Sequence, residues 1–279
     1  MATTTMSITQ LVGLQRAEFA KAARLQRQIL QIQCSIAALA AIGVFFEAPI
    51  ISYGVAIVAL GFAGVWALIG WRYRASRGQA ERARRATLLM QGLDETISDG
   101  ELRKLKLDFT VTTEQGRACE DDNYYAAQAA PGLPRLVEML EETCFWSCHL
   151  LKGSARRSWF SFIALVGTGL LLFLLSVLVF DGDRLQTAAR LFCVLLTFVV
   201  STEVVGAALA YGDASQALST ILPRIEAVRA SGNRTVDLLM TLSDYNSAVE
   251  GAPMFWPGLY EKERDRLNQL WSERIRWTT

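Results

Sequence analysis

The sequence predicts an all-α membrane protein: four transmembrane helices arranged as two hairpins, with a mostly helical cytoplasmic domain. Three observations predict it. Apolar runs close to the roughly 20 residues that a helix needs to cross a hydrocarbon core recur along the chain. Lys and Arg gather at one set of their ends. Outside the runs, apolar residues return at helical spacing. Composition agrees: of 279 residues, 52% are hydrophobic and 20% charged, and mean hydropathy is +0.24, which excludes a disordered or collagen-like chain. The 28 Lys and Arg nearly balance 27 Asp and Glu, for a net charge of +1, so global electrostatics points to no direct nucleic-acid partner.

Residues 7–31 read as a cytoplasmic helix, with Leu11, Leu14, Phe19, Leu25 and Ile29 interleaved among Arg, Lys and Gln. It runs into the first span, 32–46, which at 15 residues is the shortest and reaches spanning length only with 28–31 added. A turn at Glu47-Ala48-Pro49 precedes the second span, 50–71, with 22 residues and no charge. Residues 72–97 extend that helix into water until Ser98-Asp99-Gly100 turns the chain. The stretch 102–113 (LRKLKLDFTVTT) alternates enough for a short strand, with a helix as the alternative. Residues 123–130 form a loop or short helix. Pro131-Gly132-Leu133-Pro134 then punctuates the chain and launches a helix over 134–152.

The third span, 159–180, has 22 residues and no charge, and the fourth, 191–211, has 21 residues and one charge, Glu203. The turn between them is 181–190. Beyond, Leu218, Ile221, Leu222, Ile225 and Val228 recur at helical spacing, as do Leu238, Leu242, Tyr245 and Val249. Ala252-Pro253 and Trp256-Pro257-Gly258 make a rigid loop, since a residue before proline avoids the helical basin. A last helix covers 259–276. The expected division is thus an N-terminal helix (1–31), a first hairpin (32–71), a cytoplasmic insert (72–158), a second hairpin (159–211) and a C-terminal helical tail (212–279).

Orientation follows from the basic residues. Arg16, Lys21, Arg24 and Arg27 precede the first span; Arg72, Arg74, Arg77, Arg82, Arg84 and Arg85 follow the second; Lys152, Arg156 and Arg157 precede the third. The opposite turns hold only Arg184 and Arg190, against Glu47, Asp181 and Asp183. Both termini and the insert are therefore expected in the cytoplasm. A secretory signal peptide is not expected, because the first 20 residues contain Glu18 and no apolar core of suitable length.

Few residues carry recognisable chemistry. Glu203 lies inside a span, where a carboxylate costs roughly 2.5–3.5 kcal/mol unless water or a partner meets it. With Thr197 and Ser201 nearby, it reads either as a pore-lining or gating group or as a hydrogen-bonded glutamate packing two helices. Gly206 and Ala210 form a small-xxx-small pair that lets helices approach within or between subunits. Cys144-x-x-x-Cys148-His149 has too few partners for a zinc site, and His149 is the only histidine. No P-loop, G-x-G-x-x-G or EF-hand pattern occurs, so neither catalysis nor a metal or cofactor is expected. Aromatic and basic residues gather in the insert: Tyr124, Tyr125, Arg135, Phe145, Trp146, Arg156 and Arg103-Lys104-x-Lys106. They suit stacking and phosphate contacts, or else serve as core residues and membrane anchors.

Two stretches carry a family resemblance. In one, Asn123-Tyr124-Tyr125 is followed about 20 residues on by Cys144-Phe145-Trp146. In the other, Asp244-Tyr245-Asn246 leads to Pro253 and Tyr260. With the two-hairpin layout, they resemble the SMODS-associated four-transmembrane effector family of bacterial anti-phage (CBASS-type) defence. Tyr124 stands where that family usually has tryptophan, and Ala248 where an arginine follows Tyr245-Asn246. The resemblance implies a multi-pass protein of the bacterial inner membrane that homo-oligomerises. It implies a pore opened by a cyclic oligonucleotide, a second messenger supplied by a CD-NTase, with Tyr124, Tyr125, Arg135, Trp146 and Arg156 as candidate ligand contacts. Two other readings stand beside it: a constitutive small channel or transporter using Glu203, and a membrane scaffold that docks a cytoplasmic partner.

Overall fold

A computed structural model describes residues 6–46, 48–122, 124–179, 182–200 and 205–278. Helices dominate, and no strand occurs among the described residues. The chain runs through α1 (Ile8–Gly43), α2 (Pro49–Leu93), α3 (Asp99–Asp108), α4 (Thr113–Arg117) and α5 (Leu133–Val179). It continues through α6 (Asp183–Val200), α7 (Ala207–Ala230), α8 (Thr235–Gly251) and α9 (Leu259–Thr278).

Two helices set the architecture. α2 has 45 residues and α5 has 47. At 1.5 Å per residue both approach about 70 Å, more than twice the roughly 30 Å of a hydrocarbon core. Both contain a stretch long and apolar enough to cross a membrane, within Tyr53–Leu93 and Leu133–Leu178. These stretches do not form a protein core: none of the apolar window in α2 is buried and only 11% of that in α5. Ile57, Leu60, Phe160, Leu172 and Leu178 are exposed along them, a surface suited to hydrocarbon rather than water. No proline stands where either helix leaves its apolar run, so each continues unbroken into a polar half.

The expected first and fourth spans fare differently. No spanning length of α1 reaches the same hydropathy, and the apolar stretch of α6 is the shorter Leu185–Phe198. Part of the fourth span, 201–204, lies outside the described residues. Among the described residues two helices of spanning length and composition are therefore found, against the four expected. The apolar parts still neighbour one another, as where Phe173 of α5 stacks on Phe192 of α6 at 5.2 Å.

Beyond the apolar stretches the described residues fold into a body with three apolar clusters. The largest joins Leu88 of α2, Leu136, Leu140 and Leu151 of α5, Leu218 and Ile225 of α7, and Leu238 and Tyr245 of α8. A second joins Met6, Leu11 and Leu14 to Ala83, Met90 and Leu105. A third seats α9 on α5 through Phe145, Leu150, Leu259, Leu267 and Trp271.

The strand reading of 102–113 is corrected. Ser98 accepts a hydrogen bond from the Glu101 N–H and caps α3, so Ser98-Asp99-Gly100 opens a helix instead of only turning the chain. Asp99 and Glu101 at its start and Lys106 near its end complement the helix dipole. Leu105 is buried in the second cluster with Leu102 packed beside it, a pairing at helical rather than strand spacing. What ends α2 is Asp94, in the left-handed region at φ 59°. Gly92 just before it sits so close to Leu136 that a Cβ would lie 2.9 Å from the leucine Cδ1, and its carbonyl accepts from the Gly132 N–H at 2.8 Å. The end of α2 and the start of α5 are thereby clamped together.

Candidate functional site: a buried arginine and the groove beside it

Arg84 lies on α2 about 20 Å beyond Trp71, the last residue of the apolar run. It is 7% exposed. Its Nε donates to Glu81 Oε2 at 2.7 Å and its Nη2 to Asn246 Oδ1 at 3.0 Å. Its guanidinium carbon sits over the Tyr245 ring, 5.1 Å from the centroid, a favourable cation–π geometry. Burial opposes the charge, but Tyr245 and the Glu81 carboxylate outweigh it and hold the arginine pKa above its ordinary value. One nitrogen, Nη1, is buried with no hydrogen-bond partner among the described residues.

Part of each stretch that carries the family resemblance lies near this arginine. Tyr245 and Asn246 touch it directly. Ser147, next to Trp146, places its hydroxyl 3.3 Å from that of Tyr245. Tyr124 and Tyr125 pack edge to face at 4.8 Å. The Tyr124 hydroxyl accepts from Gln15 Nε2 at 3.3 Å, with the Arg16 guanidinium 6.0 Å from its ring centroid. Burial pushes the Tyr124 hydroxyl up to about 12 and that of Tyr125 well above its ordinary value, with Arg84 pulling both the other way. Both tyrosines are therefore neutral near pH 7. The Tyr125 hydroxyl, Thr87 Oγ1 and Gln15 Oε1 join Arg84 Nη1 as buried polar atoms without a partner among the described residues. Such an atom left unpaired costs about 1–3 kcal/mol. Arg84 reads in the sequence as one of six arginines anchoring a span; its burial and its partners Tyr245 and Asn246, the latter 162 residues away, set it apart.

The other expected contacts are dispersed. Arg135 turns its Nε to the Ala129 carbonyl at 2.8 Å and braces the loop that carries the tyrosines. Trp146 faces α9, 5.8 Å from the Tyr260 ring. Arg156 is exposed, further along α5. The structure thus brings Tyr124 and Tyr125 together, near enough to Arg84 for its charge to act on both, and does not bring Trp146 or Arg156 to them. Thr197 lies on α6 with its hydroxyl donating to the Cys193 carbonyl at 2.8 Å; Ser201 and Glu203 lie outside the described residues. Cys144 and Cys148 point their thiols at the Leu218 and Ser215 carbonyls of α7, each at 3.6 Å. His149 donates Nδ1–H to the Phe145 carbonyl of its own helix at 2.9 Å. The two cysteines serve packing between α5 and α7, and no group of three or more metal-ligating side chains occurs among the described residues.

The tyrosine loop is also held by two glutamates one turn apart on α5. Glu138 accepts from the N–H groups of Gln128 and Ala129, both at 2.9 Å, and Glu142 from that of Ala126 at 3.0 Å. Burial raises the Glu142 pKa from 4.5 to about 7; the Ala126 N–H works against the rise and Glu138 adds to it. With the folded value above the unfolded one, the native state binds the extra proton between these values. Stability therefore falls as pH rises from about 4.5 to about 7. Glu142→Gln is expected to flatten that slope and to be the more stable protein at pH 8, by no more than about 3 kcal/mol. Thermal unfolding of both proteins at pH 5 and pH 8 measures it; parallel pH profiles would refute the assignment.

Next to Glu81 a groove of about 350 Å³ opens between α2 and the end of α8. Tyr73, Arg74, Arg77, Arg85 and Glu250 are among its walls. Arg77 donates to the carbonyls of Val249 at 3.3 Å, Glu250 at 3.2 Å and Ala252, closing the C-terminal end of α8 as a cation there should. Glu250 lies 3.3 Å from Arg85 and 3.6 Å from Arg84, so the groove and the buried cluster share a carboxylate. No protein-family model, no curated protein and no solved structure matches this chain.

Proposed function

We propose that the chain is an inner-membrane effector of bacterial anti-phage defence. In this reading it crosses the membrane four times, keeps both termini in the cytoplasm and forms a homo-oligomer. It opens a path through the membrane when a cyclic oligonucleotide reaches the cytoplasmic body. The observation that carries the reading is continuity: α2 holds both an exposed apolar stretch and Arg84, without a break between them. A ligand that rearranges the Arg84 cluster moves the same rigid helix that meets lipid. The unpaired atoms of Arg84, Tyr125, Thr87 and Gln15 supply an energetic handle. A shift from 1:99 to 99:1 in favour of an open state needs about 5.5 kcal/mol of differential binding. Satisfying a few such atoms in that state, at about 1–3 kcal/mol each, is of the right size.

The test is leak from liposomes containing the purified protein, across a panel of cyclic di- and trinucleotides. Leak with one nucleotide and not the others is the expected result. Leak without any nucleotide would make the protein a constitutive channel, and silence from folded, inserted protein would leave a scaffold.

A further inference from the structure

The groove on α2 has a property that the Arg84 cluster lacks: available positive charge that begins one turn past the apolar run. Arg74, Arg77, Gly78, Glu81, Arg82 and Arg85 recur at three- and four-residue spacing and line one face. Arg74 stands one turn, about 5 Å, past Trp71, which is 63% exposed and ends the apolar run. Arg74 is exposed and makes no ion pair among the described residues. Arg82 and Arg85 are held only by part-exposed pairs, to Asp108 at 3.2 Å and Glu250 at 3.3 Å, of a kind that contributes little. Of the two opposing carboxylates, Glu81 is committed to Arg84. At Gly78 a Cβ would meet nothing within 4 Å, so the floor is open.

We propose that this groove binds the phosphate of an anionic phospholipid headgroup. Guanidinium forks match phosphate oxygens in pairs. Juxtamembrane arginines on the cytoplasmic side face an anionic leaflet, and about 350 Å³ accommodates a headgroup but no folded partner. The proposal rests on α2 crossing the bilayer and does not require the messenger.

The full chain is reconstituted into vesicles of phosphatidylcholine, alone or mixed with phosphatidylglycerol, and flotation shows whether it inserts. Lipids that remain bound are then counted by native mass spectrometry. Phosphatidylglycerol is expected to be retained over phosphatidylcholine by about tenfold, equivalent to 1.4 kcal/mol. The preference should vanish in the Arg74→Gln, Arg85→Gln double variant and in Gly78→Leu, which fills the groove. It should persist in Arg72→Gln, an exposed arginine outside the groove. Equal retention of both lipids by inserted protein overturns the proposal, as does an Arg72→Gln variant as defective as the double one. A soluble dinucleotide that binds with the same arginine dependence while phosphatidylglycerol does not also overturns it. Protein that fails to float with either vesicle removes the membrane reading itself, which the flotation step separates from a failure of lipid selectivity.

Discussion

Glu18→Ala is expected to detach the segment after α3 from α1 and to destabilise that region by about 3 kcal/mol. Glu18 is fully buried, yet the sequence around it reads as one polar residue on an amphipathic helix. Its carboxylate accepts from the backbone N–H groups of Thr110 and Val111, the latter at 3.1 Å, and from the Thr110 hydroxyl at 2.9 Å. The Ser76 hydroxyl of α2 also donates to it. Lys21, one turn along, reaches the Thr110 carbonyl and hydroxyl, both at 2.8 Å. Alanine leaves the two backbone donors of this half-exposed segment without their acceptor, each costing up to about 1–3 kcal/mol where water does not replace it. Glu18→Gln keeps one acceptor oxygen and should lose about half as much. Hydrogen exchange of residues 109–112 reads the effect, with exchange at least about 100-fold faster in the alanine variant while the α5–α7–α8 core stays protected. Unchanged exchange at 109–112 would mean that the carboxylate does not hold the segment.

Arg84→Met should destabilise the body by about 3–5 kcal/mol, because it strands a buried carboxylate. Glu81 is 6% exposed and has its hydrogen bond from Arg84, and Asn246 loses its donor as well. Replacing both charges, with Arg84→Met and Glu81→Leu together, should recover most of the loss, since an apolar pair of similar volume can substitute for a buried ion pair. Arg84→Lys should recover little, because an ammonium lacks the planar fork that reaches Glu81 and Asn246 at once and stacks on Tyr245. Denaturation of the wild type, Arg84→Met, Glu81→Leu, their double variant and Arg84→Lys in the same detergent gives the coupling. If the double variant is as unstable as the two single losses added together, the charges are not a coupled pair.

Helix positions were largely legible along the chain. Apolar residues at 218–228 and 238–249 mark α7 and α8, Pro131-Gly132 marks the start of α5, and Trp256-Pro257-Gly258 marks that of α9. These signals are local: a proline, a glycine at φ 74° such as Gly258, or an apolar spacing acts within a few residues. The unbroken passage of α2 from lipid-suited to water-suited surface was legible for the same reason. The 102–113 stretch was not, because its alternation fits two periods, and burial of Leu105 against α1 and α2 chose between them.

The identity of the central side chains was not local either. Tyr124 and Tyr125 stand out as aromatics, but their neighbours are Gln15, Arg16 and Arg84, drawn from two other helices. Six arginines follow the second apolar run, and composition treats them alike. The rotation of α2 against its neighbours turns Arg84 inward to Asn246 and Arg77 toward the end of α8, and leaves Arg74 at the surface. Most helices, the apolar stretches of α2 and α5 and the asymmetry of charge were set by residues acting on their near neighbours, so the sequence alone determined them. Which charges are buried, and which stay free to meet a ligand, was decided by contacts spanning up to 175 residues, because burial belongs to the surface a side chain meets and not to the side chain itself.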